Sequence, residues 1–214
     1  MDCARQDIVL HLKIGGVEAV RDIKDALDLG VDGLIAPMVE SPFAVTKFTE
    51  AVGSIFSGRD TNKSINIETR TAVLHVDEIL TAAKGKIDNV TVGRADLSHS
   101  YFDEEVGPDC EFISDVINTI SYKVRAAGLA LTIGGSISTK SINQFRTNRE
   151  NLEERISSIE TRKIILPIES FFDKEHALEE ALRFEELYLR AKLETEQLLS
   201  QADRGRLAKL KSRI

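Results

Sequence analysis

Residues 64–73, "SINIETRTAV", alternate polar and apolar side chains and then present a carboxylate, Glu68. Residues 90–100, "VTVGRADLSHS", do the same and present Asp96. Alternation of period two is the pattern of a half-buried β-strand, and the two acids stand about one βα unit apart. A surface loop would tolerate such acids without consequence. Acids at the ends of two neighbouring strands imply instead a shared site on one rim.

Outward from these two segments the chain keeps alternating. Residues 7–13, "DIVLHLK", read as a strand stopped by Gly15-Gly16. Residues 17–30 read as a helix with Val17, Val20, Ile23, Ala26 and Leu27 on one face and Gly30 as its stop. A buried strand over 31–38 precedes a helix over 41–56, which opens on Ser41 as N-cap and Pro42 in the first turn. Further helices are predicted over 75–85 and 110–128, and strands over 88–93, 129–135 and 157–166. A polar helical stretch covers 139–156, and a long charged helix or helix pair runs from Glu175 to about Arg213. The repeated "IETR" at 67–70 and 159–162 reads as chance.

Strands alternating with helices through short links imply parallel strands and right-handed crossovers. A barrel is favoured over an open sheet because Lys13, Glu40, Glu68, Asp96 and Gly134-Gly135 terminate strand after strand. All strand ends of a barrel meet at one mouth, whereas an open sheet gathers them only at its switch point. The expectation is an α/β fold: a TIM (β/α)₈-type barrel lacking the first βα unit, since such barrels need about 250 residues, with an extended C-terminal helical tail. Residues 1–173 form the barrel domain, and residues 174–214 a helical extension on the barrel or on a neighbouring subunit.

With 214 residues, 42% hydrophobic and 29% charged, the chain is composed like an ordinary soluble protein. A net charge of −7 argues against a nucleic-acid surface. No apolar run approaches the roughly 20 residues of a membrane span, and the N-terminus lacks a signal-peptide layout. Cys3 and Cys110 lack metal-ligand spacing, which predicts free thiols in a cytoplasmic protein.

Two carboxylates sharing a rim repel unless one is protonated or both hold a cation. Oxygen-only donors without nearby His or Cys favour Mg²⁺ or Mn²⁺, which takes one or two protein carboxylates and leaves positions for a bidentate substrate. The same spacing is equally met by a Glu68 that caps the next helix and an Asp96 that makes a turn.

Together, "KIGGVEAVRDIKDALDLGVDGLIAPMVES" (13–41), "INIET" (65–69) and "VGRADLSHS" (92–100) resemble the HpcH/HpaI aldolase and citrate lyase β-subunit family. The likeness runs from about Leu10 to Gly135 and continues more weakly through "IETRKIIL" and the C-terminal helix. It implies a (β/α)₈ barrel, a divalent metal, and carbon–carbon bond cleavage or formation through an enolate next to a 2-oxo acid or citrate-like acid. By motif it implies Glu68 and Asp96 as metal ligands. It also implies backbone N–H groups at Arg94, Ala95 and Asp96 as the seat of a substrate carboxylate. Lys13 stands where many members carry an arginine, and would supply positive charge to the developing enolate without the planar fork. Asn66, two before Glu68, points the same way and binds substrate or metal-bound water, or else satisfies a neighbouring backbone group.

The family's opening strand and helix precede "KIGG", and "MDCARQ" is too short to replace them; the general acid/base stays unassigned. His11 is expected to be packed, His75 and His176 solvated, and His99 is the only histidine placed for proton transfer. Glu40 serves beside the ligands or at a helix start. The resemblance further implies a small-molecule 2-oxo acid or hydroxy acid substrate and a homo-oligomer assembled through C-terminal helices. A condensing enzyme of the citrate-synthase type and a truncated, non-catalytic barrel used in assembly are the alternatives.

Overall fold

Period-two alternation in the strand segments builds a sheet with two unlike faces. A computed structural model, which describes residues 8–211, sets seven strands side by side in chain order. They are β1 (His11–Lys13), β2 (Gly33–Ala36), β3 (Asn62–Ile67), β4 (Asn89–Gly93), β5 (Ala130–Gly134), β6 (Ser158–Glu160) and β7 (Ile165–Pro167). Strands β1 to β6 are parallel, and β7 returns antiparallel to β6. The sheet curls into a half-barrel, and among the described residues no pairing joins β7 to β1. Cys3, the first residue of the predicted strand 7–13 and the last residues of the tail lie outside the described residues.

One face carries Leu34, Ile65, Ile67, Val90, Val92, Leu131, Ile133 and Ile159, all buried in a single apolar cluster. The same cluster takes Ile23 and Ala26 from α1 (Val20–Leu29) and Phe48 from α2 (Pro42–Ile55). It also takes Ile79 from α4 (Val76–Ala83) and Ile120 and Val124 from α6 (Glu111–Ala126). The other face is polar. Parallel register sets Asn66 beside Thr91, Thr91 beside Thr132 and Thr132 beside Ser158. Asn89 Nδ2 donates to Ser64 Oγ (3.4 Å) and Thr91 Oγ1 (3.2 Å), and Thr132 Oγ1 donates to Asn89 Oδ1 (3.1 Å). Ser64, Thr91 and Thr132 are buried all the same, and the hydrogen bonds that Asn89 makes to each of them are what make their burial tolerable. Closed barrels fill this space with branched apolar side chains; here hydroxyls and amides line it.

Local signals explain most boundaries. Ser41 accepts a hydrogen bond from Ala44 N–H (3.2 Å) and Pro42 occupies the first turn of α2, as the sequence predicts. Gly30 ends α1 in the left-handed conformation (φ 67°). Four expectations need correction. The predicted strand 157–166 is a hairpin, because Arg162-Lys163 break the alternation and Thr161 and Ile164 bond across a turn. The helix predicted over 75–85 is present as α4, but a separate short helix that was not foreseen, α3 (Arg70–Leu74), precedes it, because Thr69 accepts from Ala72 N–H and caps it. Helix α5 (Arg94–His99) begins at the rim directly after β4, and α9 (Ile168–Asp173) was not foreseen. The polar stretch 139–156 is two helices, α7 (Thr139–Thr147) and α8 (Arg149–Glu153).

The tail is one helix, α10 (Ala177–Lys211). Ala177 and Ala181 are buried at its start, while Leu187, Leu193, Leu198 and Leu199 beyond them are exposed. Among the described residues, no helix is long and apolar enough to cross a membrane.

Candidate active site

The polar face ends in acids at the C-terminal rim. Glu68 follows β3 directly and is 1% exposed. Its Oε1 accepts from Met38 N–H (3.0 Å), its Oε2 accepts from Asn66 Nδ2 (3.0 Å), and Lys13 Nζ lies 3.6 Å from Oε2. The side chain also packs against Gly93 on the next strand. A Cβ there would meet Glu68 Oε2 at 2.5 Å, so only glycine admits this packing. Asn66 is buried as well, and its Oδ1 has no hydrogen-bond partner. An acceptor left bare beside a buried carboxylate is an unusual expense in a folded protein.

Asp96 lies in the first turn of α5, which follows β4, the strand next to β3, and is exposed. The turn that carries it is pressed against Gly135. With φ at +82°, Gly135 has its Cβ position 2.7 Å from Arg94 N and 2.6 Å from Ala95 N. A side chain at 135 would therefore occupy the space in front of both amides. Arg94 itself divides in two. Its backbone N–H belongs to this turn, but its side chain is 1% exposed and runs into the body of the protein. There Nη1 donates to Asp109 Oδ1 (2.8 Å) and Pro108 O (3.3 Å), and Nη2 donates to Gly135 O, Ser136 O and Ser141 Oγ at 3.0–3.1 Å. Burial pulls the guanidinium below the ordinary arginine value against the opposing pull of Asp109. On Asp109, burial acts upward, but hydrogen bonds from Ser141 and Arg94 outweigh it and hold the carboxyl low. The Arg94 side chain is thus a tie between the rim turn, the 108–109 loop and the β5–α7 turn.

Lys13 ends β1 and is about half exposed at the mouth. Glu160, at the end of β6, joins it there. An added Cβ on Gly134 would meet Glu160 Cβ at 3.2 Å, which places this side chain on the same rim layer. Burial raises the Glu160 carboxyl above its ordinary range, Lys13 draws it down, and Glu68 pushes it up again. Sequence reasoning passed over this third acid, although the signal was present: "IETR" at 67–70 and 159–162 puts Glu68 and Glu160 at equivalent strand ends.

The remaining candidates are scattered. Glu40 accepts from Thr69 Oγ1 (2.6 Å), beside the rim rather than on it. The His11 ring packs over Gly33, and burial lowers its pKa against the pull of Asp32. His99 is exposed at the end of α5, and His75 Nδ1 lies 3.0 Å from Thr71 O. Among the described residues no three His, Cys, Asp or Glu side chains cluster as a ready cation cage. The candidate donors at the rim are all oxygens, the Glu68, Asp96 and Glu160 carboxylates and the bare Asn66 Oδ1, and that set suits a hard divalent cation which keeps several waters.

Residues 5–154 match the HpcH/HpaI aldolase/citrate lyase family. The chain belongs to that family. Its members are lyases and aldolases that act on small-molecule acids and generally depend on a divalent metal. The chain is similar to the crystal structure of an HpcH/HpaI aldolase from Desulfitobacterium hafniense DCB-2 (14% identity, TM-score 0.57), covering 70% of this chain and 64% of that one. An HpcH/HpaI aldolase/citrate lyase family protein from Burkholderia cenocepacia J2315 is 18% identical with a TM-score of 0.56, over 84% of this chain and 73% of that one. A variant of the citrate synthase SbnG is 17% identical with a TM-score of 0.56, over 88% of this chain and 74% of that one. At these identities the likeness concerns the fold. Comparison with curated proteins gives no match.

Proposed function

We propose that this HpcH/HpaI family member is a metal-dependent carbon–carbon lyase of the aldolase class, acting on a 2-oxo acid aldol or a citrate-like hydroxy acid. The observation that carries the reading is the pairing of buried Glu68 with the unpartnered Asn66 Oδ1 on a polar strand face. Glu68 and Asp96 are the residues that would hold Mg²⁺ or Mn²⁺. When bound, such an ion supplies Lewis acidity to an oxygen that gains charge as the bond next to a carbonyl breaks or forms.

The chain's own groups divide the remaining work. Lys13, catalytic in this reading, keeps a positive charge at the mouth for the developing enolate oxygen. Backbone N–H groups at Arg94, Ala95 and Asp96 seat the substrate carboxylate in the space that Gly135 leaves open. Asn66 orients Glu68 through its amide and offers its free oxygen to substrate or solvent. Condensation uses the same groups in the opposite direction.

The half-barrel is read as a (β/α)₈-type barrel without one βα unit, closed by another segment or subunit. Residues 1–173 form its body and residues 174–214 the helical extension, which joins copies of the chain into a homo-oligomer in the cytoplasm. Calorimetric titration with Mn²⁺ tests the central claim. Wild type is expected to bind, and Glu68→Gln to bind at least tenfold more weakly while keeping its fold by circular dichroism. Equal binding by both proteins would remove the metal from Glu68 and the lyase reading with it. Incubation of the loaded protein with oxaloacetate, pyruvate and simple aldehydes then surveys the substrate class.

A further inference from the structure

A polar cavity lies away from the rim, between α6 on one side and α7 and α8 on the other. It measures about 320 Å³, at the lower end of the range for small-molecule sites, about 300–1,000 Å³. Arg155 and Arg94 line it together with Asn118, Tyr122, Gln144 and Asn148.

Arg155 is the anomaly. It is 8% exposed, yet among the described residues no carboxylate lies within salt-bridge distance of it. Its Nε donates to Asn151 O (2.8 Å), and its Nη1 donates to Asn118 Oδ1 (2.7 Å) and Ser121 Oγ (2.9 Å). All three acceptors are neutral. They fix the guanidinium in place without cancelling its charge, and the Tyr122 ring centroid, 4.0 Å from the guanidinium carbon, covers one face. Nη2 makes no hydrogen bond to a described residue. Arginine is almost never this deeply buried unless paired, because a buried charge without its counter-charge is costly. A second donor in the wall is also unsatisfied: Arg94 Nε is buried with no acceptor.

The geometry points to this cavity as a binding site for a small monocarboxylate whose planar group pairs with the Arg155 guanidinium. With Nε and both N–H groups of Nη1 already engaged, the carboxylate accepts a charge-assisted hydrogen bond from Nη2, and the amides of Asn118, Gln144 and Asn148 can donate to or accept from the rest of such a ligand. The exposed Asp115 carboxylate also lines the opening. Its charge repels multiply charged anions, so a monoanion fits better than a phosphate ester.

Benzoate is a suitable probe, titrated calorimetrically into the full chain and compared with sodium chloride at equal ionic strength. Saturable binding of one benzoate is expected, weakened at least tenfold by Arg155→Gln and unchanged within twofold by Lys13→Ala, which tests the rim. Asn148→Trp, at an exposed position whose side chain makes no cap bond, fills the cavity and is expected to abolish binding even if Arg155→Gln does not fold. Unchanged affinity in Asn148→Trp, loss of binding in Lys13→Ala, an equal heat from chloride, or tighter binding of inorganic phosphate would each overturn the assignment.

Discussion

Glycine at 93 and at 135 has a defined cost of replacement, because what an added methyl would strike is known atom by atom. At Gly93 the obstacle is the Glu68 side chain, at 2.5 Å from its Oε2 and 3.0 Å from its Cβ. At Gly135 the obstacles are backbone nitrogens in a turn tied down by Arg94, and the φ of +82° already disfavours any L side chain. Gly135→Ala is therefore expected to lower stability by more than about 1 kcal/mol. Gly93→Ala is expected to cost less stability but to turn Glu68 out of place and abolish Mn²⁺ binding. Thermal denaturation and metal titration of the two variants separate these effects. Glu160 makes a prediction in pH. Its carboxyl is raised in the fold, chiefly by burial, so its contribution to stability is complete in acid and is lost as pH rises through the raised value. Metal-free Glu160→Gln should match wild type below the ordinary carboxylate pKa of 4.5 and become the more stable protein towards neutral pH. Urea denaturation at acid and neutral pH measures the difference; a constant gap would refute it. Strand alternation sets Glu68 and Asp96 at or just beyond strand ends, but equally allows a cap and a turn; it is the motif resemblance that singles them out as candidate ligands. The course of the Arg94 side chain was legible in neither, since its five acceptors come from residues 108–141 and meet only when the chain folds.

Elements were readable where one local signal decided them. Ser41-Pro42 announces α2, and the cap bond to Ala44 N–H is present. Ser41→Ala removes it and is expected to cost about 1 kcal/mol, visible as a lower melting temperature with the fold retained. Elements were misread where tertiary pairing decided them. Residues 157–166 carry enough apolar side chains for one strand, but β6 pairs only Ser158 and Ile159 with β5. The exposed Arg162-Lys163 pair then makes the turn, and β7 folds back to protect the outer edge of β6. Helix α5 was hidden because "GRADLS" has no apolar stripe of its own. Leu97 alone is its apolar anchor, and the rest of its order comes from the Arg94 tie and from Gly135.

At the scale of the whole molecule, the parallel order of six strands and the helix layer on their apolar face follow from the alternation of patterns. How far the sheet closes does not, because curvature depends on contacts between strands that are far apart in sequence. The proposed oligomer is tested here. Cutting the chain after residue 186 spares the buried anchors Ala177 and Ala181 and removes most of the exposed leucines of α10. The shortened protein is expected to have a lower mass by light scattering; an unchanged mass places the contact elsewhere. Helix α10 has 35 residues, and at 1.5 Å of rise per residue it is roughly 50 Å long, well beyond the roughly 30 Å breadth of a small domain. Since it is exposed along most of that length, it acts as an oar in solution. Friction on it would make even a single 23.7 kDa chain elute early from a sizing column as an assembly does, while slow sedimentation would tell the elongated chain from an assembly.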